Sequence, residues 1–118
     1  MSEPFFFSEM SFTEGVLRVP LHRLRGPWAL VEFEVPRAFR FFNESDSFSY
    51  LETYDGPNLL DSNQGCSMNE STSSGYLTEY CTYTPEYRLE SGLKSIVIIS
   101  VQECVEVISV EGPSITLL

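Results

Sequence analysis

No part of this chain keeps apolar residues at helical spacing for ten residues, whereas short runs of alternating polarity recur along it. Successive side chains on a strand point to opposite faces, so alternation with a period of two marks a half-buried strand. Val31-Glu32-Phe33-Glu34-Val35 is the clearest case, with Val31, Phe33 and Val35 facing inward. Leu17, Val19 and Leu21 share one face of a preceding strand, with Arg18 on the other. Residues 38–42, 48–54 and 104–110 read as further strands. Over residues 75–83, Tyr76, Thr78, Tyr80 and Thr82 alternate with Leu77, Glu79, Cys81 and Tyr83, the pattern of one more. Residues 95–101 are β-branched and nearly all apolar, as in a central strand buried on both faces. Gln102-Glu103 supplies the turn that follows, and Gly112-Pro113 breaks the chain before a last strand at 114–118. The one local helical candidate, residues 85–90, amounts to a turn or two. Eight or nine short strands predict an all-β fold, an antiparallel sandwich or jelly-roll-like arrangement with little or no helix.

At 118 residues these strands form one domain, 1–118, since two halves would each be small for an unaided core. Nine Phe and six Tyr within a 42% hydrophobic composition supply that core and exclude a disordered chain. Residues 1–12 read as an apolar N-terminal arm carrying Phe5, Phe6, Phe7, Met10 and Phe12. Residues 61–75, rich in Ser, Asn, Gln and Gly, read as one long polar loop. The chain closes on Ile115-Thr116-Leu117-Leu118. Chain ends are usually polar and frayed, so apolar ends are expected to be tied down, as edge strands or by a neighbouring subunit.

The formal net charge of −10 is split unevenly. Residues 1–40 carry five Arg (Arg18, Arg23, Arg25, Arg37, Arg40) against five Glu, so residues 41–118 hold the whole excess. A deficit of that size opposes binding to nucleic-acid phosphates or anionic lipid. It suits a basic partner, a bound cation, or like subunits in which the Arg segment of one faces the acids of the next. Met1-Ser2-Glu3-Pro4 lacks the basic start and long apolar run of a signal peptide, and no apolar run is long enough to span a bilayer. Cytoplasmic synthesis is therefore expected, with incorporation into a virion or another large particle.

The residues of catalysis are hard to assemble. His22 is the single histidine, and no Gly-x-Ser-x-Gly turn presents a nucleophile to it. Cys66, Cys81 and Cys104 lie 15 and 23 residues apart, not at the short spacing of structural zinc ligands. Their odd number is that of free thiols rather than a disulfide framework, with a Cys66–Cys81 bridge as the other reading. No glycine-rich phosphate loop is present. Asp55, Asn58, Asp61 and Asn63 are oxygen donors within one loop, a calcium question that turn chemistry answers equally well. Asn43 and Asn69 each begin an Asn-x-Ser sequon. The expectation is a protein that is not an enzyme and takes no cofactor.

The run Ser49-Tyr50-Leu51-Glu52-Thr53-Tyr54-Asp55-Gly56-Pro57-Asn58, followed by Cys66, resembles the middle of a CUB domain, with its Asp-x-Leu-x-Ile-Tyr-Asp-Gly and later Cys-Gly. The resemblance implies an extracellular β-sandwich that binds partners, with a Cys66–Cys81 bridge and sugar on Asn43 or Asn69. The chain departs from the family at Ser49, where CUB domains place a calcium-ligand Asp, at Thr53, and at Ser67 after the Cys.

Arg, Trp and Phe are the side chains that anchor protein contacts. The expected interaction surface is Phe5, Phe6 and Phe7 as an arm, with Arg23, Arg25 and Trp28 as a contact patch. The function these features predict is that of a structural or interaction subunit of a larger assembly, an oligomer or a complex with other protein subunits. A virion decoration, capsid or tail component would fit, with a CUB-like binding module as the alternative.

Overall fold

The alternation of the first forty residues becomes a meander of strands in the computed structural model, which describes residues 5–43, 54, 67–100 and 103–118. The strands are β1 (Phe6–Phe7), β2 (Ser11–Thr13), β3 (Val16–Arg23), β4 (Gly26–Glu34) and β5 (Ala38–Asn43), then β6 (Ser67–Ser71). A helix, α1 (Gly75–Tyr83), and a single 3-10 turn (Glu86–Arg88) precede β7 (Lys94–Ile99), β8 (Glu103–Ser109) and β9 (Ser114–Leu117). All pairings are antiparallel. In the first sheet β1 and β2 both pair with one edge of β3, and β4 and β9 follow in order. The second sheet runs β5-β8-β7-β6. The molecule is thus mostly β and sandwich-like, as its alternation predicts.

The facing surfaces of the two sheets make the main core. Leu17, Val19, Leu21, Ala29, Val31 and Phe33 from the first sheet meet Met68, Ile96, Ile98, Val105 and Val107 from the second, all essentially without solvent contact. Each fully buried Val, Leu, Ile or Phe contributes about 1.5–3 kcal/mol, so this layer dominates the favourable side of folding. The turns between strands follow from backbone chemistry. Glu14 and Gly15 link β2 to β3 with φ of 54° and 80°, the two positive values that a tight primed hairpin turn requires. Ser100 closes the β7–β8 connection: its hydroxyl donates to the Glu103 carbonyl and accepts from the Glu103 amide. Glu103 is accordingly the first residue of β8 rather than part of the turn.

The second sheet is covered on its outer face as well. Val97 and Cys104 pack there with Tyr54, flanked by Phe42 and Ile99, and α1 lies beside β7. Lying in the sheet interior with Ser95 through Ile98 buried, β7 is the doubly covered strand that its composition predicts.

Several expectations are corrected. Residues 75–83 are a helix. Ser74 caps it by accepting from the Leu77 amide, and the hydroxyls of Thr78, Thr82 and Thr84 each donate to the carbonyl four residues back. The polar segment 61–75 is not one loop, because residues 67–71 form β6 against β7. Val35 does not face inward: β4 ends at Glu34, and Val35 turns out with φ of 47° and 61% exposure. Residues 85–90 hold a single 3-10 turn, as expected. Of the strand expected at 48–54, all but Tyr54 lies outside the described residues.

Candidate interaction surface

The β3–β4 hairpin gathers most of the expected contact residues at one end of the first sheet. Leu24 and Arg25 form its turn between the paired Arg23 and Gly26, and Gly26 takes a φ of 125° that side chains rarely allow. Trp28 is half-buried, stacked on Phe5 at 5.6 Å, and the Arg23 guanidinium lies 3.9 Å from its ring centroid. A cation over an indole face is favourable, which suits Arg23, whose Nε is buried without a hydrogen-bond partner. Arg25 is exposed, and neither it nor Arg23 forms a salt bridge among the described residues. Register brings in three residues that sequence reasoning did not place here. Leu24, at the tip, is 79% exposed. Leu117 pairs with Ala29, and the Leu118 amide donates to the Trp28 carbonyl, both leucines being largely exposed.

The arm is corrected at the same place. Phe5 is wholly buried in the main core, and Phe6 and Phe7 pair with His22 and Leu21 on β3. Residues 5–7 are therefore an edge of the sheet, with only Phe6 facing solvent. His22 sits half-buried on β3.

On the outer face of the second sheet is a cluster that sequence reading passed over. Glu106 of β8 is fully buried between Arg40 of β5 and Val97 of β7. Arg40 Nε donates to Glu106 Oε1 at 2.8 Å, and the Tyr54 hydroxyl donates to Oε2. The Arg40 guanidinium lies over the rings of Tyr76 and Phe42, at 4.2 and 5.7 Å. Ser74, the cap of α1, shares a 2.6 Å hydrogen bond with Ser95 of β7, tying helix to sheet. Burial and the bond to Glu106 push the Tyr54 hydroxyl above the ordinary tyrosine range, while hydrogen bonds with Ser74 and Ser95 pull the other way. Both Glu106 oxygens are engaged, one by Arg40 and one by Tyr54, so the carboxylate holds these two side chains together. The available signal was a lone Glu within Cys104-Val105-Glu106-Val107-Ile108.

The opposite end of the β3–β4 ribbon is different in charge. Arg37 donates twice to Glu90, Nε and Nη2 each at 2.5 Å, and also to the Val35 carbonyl. That bidentate pair holds the Glu90 carboxyl below its usual range and raises Arg37. A surface cavity of about 420 Å³ opens there, lined by Glu34, Val35, Arg37, Glu90, Val110 and Glu111. Three arginines of the neutral segment, Arg18 with Glu32, Arg37 with Glu90 and Arg40 with Glu106, thus find their acids within the same chain.

Among the described residues no group of three or more His, Cys, Asp or Glu is placed to hold a metal ion. Cys81 and Cys104 are free thiols in this structure, and the partner that a Cys66–Cys81 bridge needs, Cys66, lies outside the described residues. The oxygen donors at 55, 58, 61 and 63 also lie outside them. No described helix is long and apolar enough to cross a membrane. No protein-family model, curated protein or solved structure matches the chain.

Proposed function

We propose that this chain is a non-enzymatic structural or interaction protein, one subunit of a larger assembly such as a virion decoration, capsid or tail component. The observation that carries this reading is the hairpin end of the first sheet. Exposed Leu24, Leu117 and Leu118 lie at the end that carries Arg23, Arg25 and Trp28, with exposed Phe6 on the opposite, β1 edge of the same sheet. Exposed apolar residues scattered singly need no explanation, but a concentration of them around Arg and Trp has the composition of an interface centre. Strand β9 adds a second feature. It is an edge strand, Ser114-Ile115-Thr116-Leu117, with all four residues exposed and no charge or proline to deter pairing.

The test is the native mass of the untagged protein taken from its own source. A large particle, or a fixed stoichiometry with other chains, is the expected result. A mass near 13.4 kDa alone would overturn the reading.

A further inference from the structure

The two ends of the β3–β4 ribbon complement each other. At one end the hairpin tip presents Leu24, 79% exposed, beside Arg25 and Arg23, which have no acidic partner among the described residues. At the other end the cavity presents Val35, 61% exposed, with Val110 on its wall. Glu34 and Glu111 stand at this cavity and form no salt bridge among the described residues, since Arg37 is committed to Glu90. The tip thus offers the exposed Arg25 guanidinium beside an apolar side chain, with Arg23 behind it over Trp28, and the cavity offers two negative charges around an apolar wall. The ends are separated by the nine residues of β4. At about 3.3 Å per residue that is roughly 26 Å, so the tip of a chain cannot reach its own cavity.

We infer that copies of this chain associate head to tail, the Leu24–Arg25 hairpin of one seating in the Glu34–Val35–Glu111 cavity of the next. This rests on the assembly reading above and names its contact. Two different surfaces meet in such an interface, so the assembly grows as a filament or closes as a ring, and does not stop at a two-fold dimer. The net charge of −10 sets copies against one another at long range. At physiological ionic strength that repulsion is screened beyond about 8 Å, while pairs in contact and shielded from water are screened much less.

Two variants separate the halves of the contact. Leu24→Ala/Arg25→Ala removes the tip, and Glu34→Lys/Glu111→Lys reverses the cavity; all four residues are exposed, and circular dichroism verifies that each variant is folded. Sedimentation velocity on the purified full chain at physiological ionic strength is expected to show a concentration-dependent series, or a ring, for the natural sequence. Each variant alone should lose association. Mixed one to one, the intact cavity of the first and the intact tip of the second should give a species of twice the monomer mass and nothing larger. A mixture that stays monomeric, or variants that associate like the natural sequence, would overturn the inference. A natural chain that is monomeric at every concentration overturns it too. The assembly reading still stands in that case if the protein from its own source is found in a complex with other chains, and falls with it if that protein is also a monomer.

Discussion

The second sheet has two buried faces, and they are held by different physics. Toward the first sheet it presents Met68, Ile96, Ile98, Val105 and Val107, with no polar atom to satisfy. Away from it the same strands bury Glu106 with Tyr54, Ser74 and Ser95, beneath a half-exposed Arg40. An apolar layer tolerates any arrangement of about the right volume, whereas a buried carboxylate tolerates only one in which each partner is in place. The outer face therefore fixes where Tyr54 and α1 sit, at some cost in stability compared with an apolar equivalent.

The comparison breaks most visibly in the apolar layer. Phe33→Ala, or Phe5→Ala, should lose about 3–5 kcal/mol in chemical denaturation. A loss near zero at Phe5 would restore it to a free arm. Next in size, Glu106→Ala should cost about 3 kcal/mol, because it leaves Arg40 and Tyr54 without their acceptor. The triple change Glu106→Leu/Arg40→Met/Tyr54→Phe should recover most of that loss or exceed the natural stability. If the triple variant is worse than Glu106→Ala, the cluster is more than a positioning device.

Tyr54→Phe should cost about 1.5–3 kcal/mol, the range for a hydrogen bond to a charged group. It also carries a pH signature. The folded-state pKa of Tyr54 is raised, so its stabilisation is complete below the unfolded value of about 10 and is lost as the pH rises above it. Urea midpoints should therefore fall less steeply above about pH 10 in the variant than in the natural protein. The smallest effect is at Glu90, an exposed carboxylate whose folded pKa is lowered by Arg37. Its contribution is present above the ordinary carboxylate pKa of about 4.3 and lost as the pH falls through the folded value. Glu90→Gln should flatten only the acid side of the stability profile, and a change on the alkaline side would contradict the assignment.

Strands β3, β4, β5, β7, β8 and β9 were legible because alternation or β-branching is written directly into them, and their faces follow from the period of two. Residues 75–83 were not. Thr and Tyr favour strands, but the Thr hydroxyls here bond back into a helix, and Ser74 begins it from a position anchored to Ser95. The overlooked signal was the spacing of the shielded residues, Tyr76, Leu77, Tyr80 and Cys81, which is helical. β6 hid in a polar segment because pairing with β7, rather than its own composition, makes it a strand. The proposed contact patch draws Arg23, Arg25 and Trp28 from the sequence by residue type, whereas Leu117 and Leu118 come beside them only through the register of β9 on β4. Glu106 could not be read as buried, since the layer covering it comes from residues far away in sequence.

The two sheets also differ in how soon they can form. β3 and β4 are joined by a two-residue turn, and β1 and β2 lie just before them, so most of the first sheet closes through short loops. β5 must find β8 across about 70 residues, as in the pair Ala38 and Ile108. Closing long loops is slow because the chain entropy is lost before the contacts that repay it are made. The first sheet should therefore serve as the template on which the second condenses. In pulse-labelled amide exchange the β3–β4 amides would gain protection before those of β5 and β8, and the reverse order would show that the long-range strands nucleate the fold.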